Sequence, residues 1–390
     1  MGDSKCAIVF STADWDAPYW TNKQHMARQL AREGYQVLYV ESLGLRRPKL
    51  SSGRDLSRIG RRIKRSITGI REVEKGVWIL SPLVIPFKHH SIFVRVFNRE
   101  FLRFSIRWFM RKNSFVNPVV WTYHPFMLDA IEKLATGPIV YHCVDDMSAV
   151  PGIDSEGFKK EEERLLTKAK VVFTTSTTLM EMCSKFNDHV YNFPNVVDID
   201  FFGKALENAP IPVDLASIPK PRIGYVGALS DYKVDFPLLL DVAEQRPDWH
   251  FVLIGEEAEG QDNSIVRQLR QMPNVHLLGH RSYQTLPDYL RGFDVGLLPT
   301  LINDYTRAMF PMKYFEYLAA GVPVVSTPLD FTRENKAGLV VAEGLEMFIQ
   351  AIEQQLERGR LSRDETQSFV ADNTWDARMK KMLGIVERSE

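Results

Sequence analysis

The chain has 390 residues, 45% hydrophobic and 25% charged, proportions of an ordinary globular protein with room for two domains. Three widely spaced cysteines (Cys6, Cys143 and Cys183) supply neither a disulfide framework nor a metal cluster and fit a reducing cytoplasm. Net charge is zero, yet residues 46–112 hold 18 Lys and Arg against 4 Asp and Glu, a net +14 that calls for an anionic partner: a lipid surface, a phosphorylated acceptor or nucleic acid.

Residues 5–11 read as a strand, 20–33 as an amphipathic helix ending at Gly34, and 36–41 as a second strand, a βαβ opening. The first apolar run, from Cys6 to Phe10, is too short for a signal peptide, and no stretch has the length of a spanning helix. The Met-Gly start has Cys6 where a myristoylation site has Ser or Thr. The loop between strand and helix lacks G-x-G-x-x-G. Its Asp14, Trp15, Asp16 and Trp20 fall at the carboxyl end of a strand, where they fit either acceptor contact or loop packing.

A basic stretch at 46–75 leads to a strand near 77–81 and then to SIFVRVFNREFLRFSIRWFMRK. On a helix, Phe93, Phe97, Phe101, Phe104 and Trp108 form one stripe. Arg95, Arg99, Arg103 and Arg107 form a neighbouring one, with Leu102, Ile106 and Phe109 beyond the arginines. Packing on a sheet explains one apolar face; two faces separated by arginine suggest an interfacial helix touching anionic lipid. A core helix with a solvated arginine edge is the alternative.

A strand at 119–123 ends at His124, a helix covers 126–135, and 138–144 is a near-continuous apolar run suited to a central parallel strand. Asp145 and Asp146 follow it directly. Partial desolvation and mutual repulsion would raise the pKa of one such carboxylate towards the range of a general base, while a capping or loop role is the plainer reading. His124 and His142 are lesser candidates. A helix at 155–169, a strand at 171–175 and a helix to about 186 complete the first half. The D-x-D of Asp198 and Asp200 is read as a boundary feature and not as a metal site. Pro210, Pro212, Pro219 and Pro221 mark 203–221 as a linker.

The βα alternation then restarts, with a strand and turn at 222–229 and strands at 249–255, 274–280 and 294–299. The stretch 310–328, FPMKYFEYLAAGVPVVSTP, reads as a short helix from Pro311 to Gly321 feeding a strand at Val324-Val325. Lys313 lies in the first turn, where the helix dipole favours an anion, and Glu316 shares its face. Such a helix start can hold a nucleoside diphosphate: amides and lysine on the phosphates, carboxylate on the ribose hydroxyls. An incidental surface Lys/Glu pair is the alternative. Gly227 would let backbone approach a ligand, and Lys233 could add a phosphate contact. The last helices are expected at 345–357, 362–371 and 375–387.

The motif P-x-K-x-x-E-Y-L-A-A-G-x-P-V-V resembles the donor-binding segment of GT-B glycosyltransferases of bacterial exopolysaccharide and capsule assembly, the xanthan glucuronosyltransferase and related group 1 enzymes among them. The resemblance implies two Rossmann-like doubly wound parallel-sheet α/β domains facing across a cleft. They span 1–202 and 222–372, joined by the linker 203–221, with 373–390 crossing back to the first. It assigns donor binding to Lys313, Glu316 and, through a backbone that reads uracil, Arg281; Gly227, Lys233 and Met312 complete the expected donor set. Y-x-C-x-D-D-x-S-A also resembles the corresponding stretch, where an aspartate is the base, which favours Asp145 over Asp146. P-N-V-V-D-I-D-F-F resembles the close of the first domain, with Val196 in place of glycine. Retaining members carry a glutamate where this chain has Ala308.

The expectation is therefore a metal-independent, inverting glycosyltransferase that needs no cofactor. It would move sugar from a nucleotide diphosphate, UDP-linked, to a hydroxyl of a lipid-linked or polysaccharide acceptor. It would be cytoplasmic and peripheral on the inner membrane face, with Arg95, Arg99, Arg103, Arg107 and Phe109 meeting acceptor or anionic lipid and no nucleic acid bound. Two rivals stand beside it: a nucleotide-sugar 2-epimerase of the same fold, and a nucleic-acid-binding protein using the basic block.

Overall fold

The computed structural model describes residues 5–17, 20–42, 69–82, 92–134, 136–257 and 263–389, without the side chains of 92–95. The basic residues of 46–65 and the side chains of Phe93 and Arg95 lie outside the described residues. The chain divides into two units, Met1–Phe193 with Met379–Glu390, and Pro194–Arg378.

The first unit is built on eight strands: β1 (Cys6–Phe10), β2 (Gln36–Val40), β3 (Arg71–Glu74), β4 (Val77–Leu80), β5 (Val119–Thr122), β6 (Ile139–Cys143), β7 (Val171–Thr174) and β8 (Val190–Asn192). Their order is β3-β4-β2-β1-β5-β6-β7-β8, parallel throughout except for the antiparallel β3–β4 edge. Helices cover both faces of such a sheet, which is why its central strands are apolar at nearly every position. The strand order reverses between β1 and β5, the topological switch point at which open α/β sheets bind ligands.

The helix Ile92–Lys112 resolves its two apolar faces. Leu102, Ile106, Phe109 and Met110 enter the core with Ile8, Phe10, Leu38 and Val120. Phe97, Phe101, Phe104 and Trp108 are exposed. The expectation that Phe109 and Arg103 meet acceptor or lipid is thereby corrected. Phe109 is 2% exposed and packs on Trp78 and Phe115. Arg103 is buried, its guanidinium donating to the carbonyls of Asp129 and Ala130 and pairing with Glu100. Arg99 pairs with Asp129 at 3.2 Å, and Arg107 is exposed while donating to the Lys133 carbonyl. The described arginines thus tie this helix to the neighbouring helix Leu128–Ile131 and the turn after it.

The second unit has six parallel strands, β9 (Arg222–Val226), β10 (His250–Ile254), β11 (Val275–Gly279), β12 (Val295–Leu298), β13 (Val324–Ser326) and β14 (Leu339–Val341), in the order β11-β10-β9-β12-β13-β14. Side chains alternate across this sheet: Val252 and Ile254 of β10 join one core with Phe293 and Tyr317, Phe251 and Leu253 the other with Trp249 and Phe348. The switch point lies between β9 and β12.

The stretch read as a linker, 203–221, is instead a packed part of this unit. Leu215 and Ile218 are buried in its core, and Asp214 is bonded to Arg281 (2.6 Å) and Tyr289 (3.0 Å). Its prolines interrupt periodicity without loosening the chain. Residues 194–202 also group with the second unit, so the division falls after Phe193 and not at 202.

Candidate functional site

The carboxyl ends of β9, β12 and β13 converge on the helix Met312–Ala319. Pro311 stands at its N-cap, and Gly321, with φ +73°, takes the left-handed conformation just past its end. The helix is pinned at both levels of the sheet. The Tyr317 hydroxyl accepts from the Val226 amide at 2.9 Å, and burial raises the pKa of that phenol. Thr327 Oγ1 accepts from the Thr300 amide (3.1 Å) and donates to its carbonyl (2.7 Å), joining the ends of β12 and β13. Ahead of the helix, the buried Asn195 side chain donates to the Phe310 carbonyl at 2.7 Å.

Six of the eight helical residues are buried, leaving Met312 and Lys313 half-buried at the start. The Lys313 ammonium is ion-paired to the carboxylate of Glu316, whose side chain is 2% exposed against 21% for the lysine. A carboxylate buried to that degree needs a charge partner. The pair places a cation at a helix N-terminus and a carboxylate one turn behind it, the geometry expected for a diphosphate and a ribose.

The other expected donor residues lie in the same unit. Lys233 is half-buried, its ammonium over the rings of Tyr232 (5.3 Å) and Tyr305 (5.0 Å), and its carbonyl accepts from the Leu301 amide at 2.9 Å. Gly227 follows β9, and a Cβ there would meet the Tyr225 hydroxyl at 2.6 Å. The tighter requirement, missed from sequence, is Gly255: with φ +155°, its Cβ would fall 1.8 Å from the Gly227 carbonyl. The Arg281 guanidinium is spent on Tyr289 (2.6 Å), Asp214 (2.6 Å) and the His280 carbonyl (3.0 Å). Burial opposes ionisation of Asp214, but hydrogen bonds from Arg281 and Tyr289 outweigh it and hold its pKa low. Only the backbone of Arg281 is left to meet a base. Ala308 is buried and puts no carboxylate beside the helix.

In the first unit, Asp145 and Asp146 follow β6 and are half-buried. Asp146 caps the turn Met147–Ala149, accepting from the Ser148 amide (3.0 Å) and hydroxyl (2.6 Å). Asp145 contributes its carbonyl to the Met147 amide at 3.0 Å. Glu162 lies nearby and was not singled out from sequence, since it sits within the run Glu161–Glu163 of an amphipathic helix. Burial raises its pKa, opposed by a hydrogen bond from the Tyr141 hydroxyl and reinforced by Asp146.

His124 follows β5 at the switch point, is buried, and burial lowers its pKa to about 4, so the imidazole is neutral at pH 7. Its Nδ1 has no hydrogen-bond partner among the described residues. His142 accepts from Trp121 Nε1 at 3.3 Å and stacks on Tyr123, a core role. Trp15 packs edge-on against Trp20 and Tyr39, its amide bonded to the buried Glu41, while Asp16 pairs with Arg71. Trp15 and Trp20 thus take the packing role that was one of the two expectations for that loop. Asp198 caps the helix Ile199–Gly203 by accepting from the Phe201 amide at 3.0 Å, which accounts for one half of the D-x-D.

The family "Glycosyl transferases group 1" matches residues 220–358. The chain carries a group 1 glycosyltransferase domain. That domain contains all six expected donor residues: Gly227, Lys233, Arg281, Met312, Lys313 and Glu316. The chain is 32% identical over 178 residues to TuaH of Bacillus subtilis, a protein assigned as a glycosyltransferase to teichuronic acid biosynthesis. The match covers 45% of this chain and 44% of TuaH, so the chain spans under half the length of that relative.

Among solved structures, sucrose-phosphate synthase from Thermosynechococcus elongatus superposes with a TM-score of 0.73 at 14% identity over 98% of both chains. The HepE protein of Anabaena in complex with UDP gives 0.66 at 12% identity, over 98% of this chain and 100% of its own. An E. coli trehalose-6-phosphate structure bound with UDP-2-fluoro glucose gives 0.67 at 13%, over 98% and 99%. These likenesses establish the GT-B fold. The relatives are not xanthan enzymes, so the narrower likeness to that pathway rests on the motif alone. Nor do they support the epimerase reading.

Proposed function

We propose that the protein transfers a sugar from a nucleoside diphosphate sugar, UDP-linked, to a hydroxyl of a polysaccharide or lipid-linked acceptor in the assembly of a cell-envelope polysaccharide, on the cytoplasmic side of the membrane. The observation that carries the reading is the Lys313–Glu316 pair at the start of the helix beyond β12. On binding, the diphosphate would take the lysine and the helix N-terminus, and the ribose hydroxyls would take the Glu316 carboxylate. The UDP and UDP-sugar in two structures of the same fold, and the polysaccharide setting of the curated relative, support the same donor class and pathway class.

In the reaction, Asp145 accepts the proton of the acceptor hydroxyl as its oxygen bonds to the anomeric carbon. The bond from that carbon to the phosphate oxygen breaks, and the diphosphate leaves with the electron pair, stabilised by Lys313 and the helix N-terminus. Of the two aspartates after β6, Asp145 is the one that the motif Y-x-C-x-D-D-x-S-A favours for this task. The absence of a carboxylate at Ala308 favours in-line, inverting attack. No metal and no cofactor takes part in this scheme.

A melting-temperature screen with UDP, GDP, ADP and dTDP tests the donor class. A nucleotide at a hundred times its dissociation constant stabilises its protein by about 2.7 kcal/mol. UDP is expected to give the largest rise; no rise with any of the four would contradict a nucleotide donor.

A further inference from the structure

The exposed face of the helix Ile92–Lys112 is unlike the rest of the described surface. Phe97 (51% exposed), Phe101 (38%), Phe104 (66%) and Trp108 (51%) stand in one row, with Phe97 and Phe101 stacked at 6.2 Å. From Phe97 to Trp108 the row runs about 16 Å along the helix. Folding does not require this row, because the opposite side of the same helix already supplies the core. Four aromatic rings in line on a surface mark a contact site and not scattered exposure.

Charge identifies the occupant. Arg107, Arg111 and Lys112 are exposed at the end of the row, and the Lys112 ammonium lies over the Trp108 ring at 5.1 Å. The surrounding sequence, 46–112, carries a net +14. A second copy docking through the same face would bring the Arg107, Arg111 and Lys112 of both copies together, and like charge opposes that. An anionic bilayer satisfies both features: aromatic rings settle at headgroup depth, and cations meet the lipid phosphates. Among the described residues no helix is long and apolar enough to cross a membrane.

We infer that the row Phe97, Phe101, Phe104 and Trp108 is a docking face for an anionic phospholipid bilayer, with Arg107, Arg111 and Lys112 as its charged rim. The helix then lies along the membrane plane, with Phe109 on its protein side. This inference stands apart from the donor chemistry and survives or fails without it.

The test is co-sedimentation of the full chain with vesicles of phosphatidylglycerol and phosphatidylcholine, or of phosphatidylcholine alone, beside melting curves and light scattering. Wild type should bind the mixed vesicles. Phe104→Ser with Trp108→Ser should bind about tenfold more weakly, since two rings no longer leave water, while melting as wild type does. Arg107→Gln, Arg111→Gln and Lys112→Gln together should reduce the preference for anionic vesicles. Three results would overturn the inference: no binding of wild type at low salt, unchanged binding of the serine variant, or a wild-type dimer that the serine variant dissolves.

Discussion

Both sheets run in the same doubly wound order from their switch points outward, β4-β2-β1-β5-β6 in one and β11-β10-β9-β12-β13 in the other. Their carboxyl ends are furnished differently. In the second sheet one segment after β12 supplies the helix N-terminus, Lys313 and Glu316 together, because i, i+3 spacing brings the two charges to one face. In the first, the candidate groups come from separate connections: Asp145 after β6, His124 after β5, Glu162 from a helix. A diphosphate and a ribose are the same in every donor of a class, so a short local motif can hold them. An acceptor varies, and a distributed site can change one loop at a time.

The contrast is tested hardest at the first sheet. Asp145→Asn keeps shape and removes basicity, so release of nucleoside diphosphate in the presence of acceptor should fall by about 10²–10⁴-fold, with donor affinity unchanged. Asp146→Asn should retain most turnover. A variant at Asp145 with a tenth or more of normal turnover would move the base to another residue.

The two faces of the helix Ile92–Lys112 come next. Phe109→Ala should cost about 3–5 kcal/mol in denaturant unfolding, and Phe104→Ala no more than about 0.5 kcal/mol. Equal costs would mean that both faces are core.

His124 gives a smaller, pH-dependent effect. Its folded pKa of about 4 lies below the ordinary 6.5, so the unfolded chain binds the extra proton first. Its contribution is complete above pH 6.5 and is lost as pH falls towards 4, by up to about 3 kcal/mol. His124→Gln should flatten that part of the stability profile; a profile unchanged by the substitution would place the imidazole in contact with water.

Much of this was legible in the sequence, for identifiable reasons. Strands buried on both faces, such as HFVLI of β10, announce themselves as apolar runs, and Pro311 and Gly321 bracket a helix whose charges fall at a fixed spacing. The prolines of 203–221 misled, because proline removes periodicity whether a segment is loose or packed. Leu215 in the core and the Asp214–Arg281–Tyr289 cluster become visible only in three dimensions. The aromatic helix was ambiguous because both faces are apolar, and nothing local says which one the sheet will cover. Arg103 was misplaced because the carbonyls of Asp129 and Ala130 that receive it are 26 and 27 residues away. Asp145 and Asp146 are adjacent and chemically identical, and the capping of the turn Met147–Ala149 by Asp146 becomes visible only in three dimensions.

The most direct measurement is titration calorimetry of UDP and uridine against wild type, Glu316→Ala and Lys313→Gln, the glutamine leaving Glu316 a hydrogen-bond donor. Glu316→Ala should weaken both ligands by about 1.5–3 kcal/mol, the range for losing hydrogen bonds to a charged group. Lys313→Gln should weaken UDP while sparing uridine, since the ammonium meets only phosphate. UDP affinity unchanged in Glu316→Ala would contradict the donor site at the start of this helix.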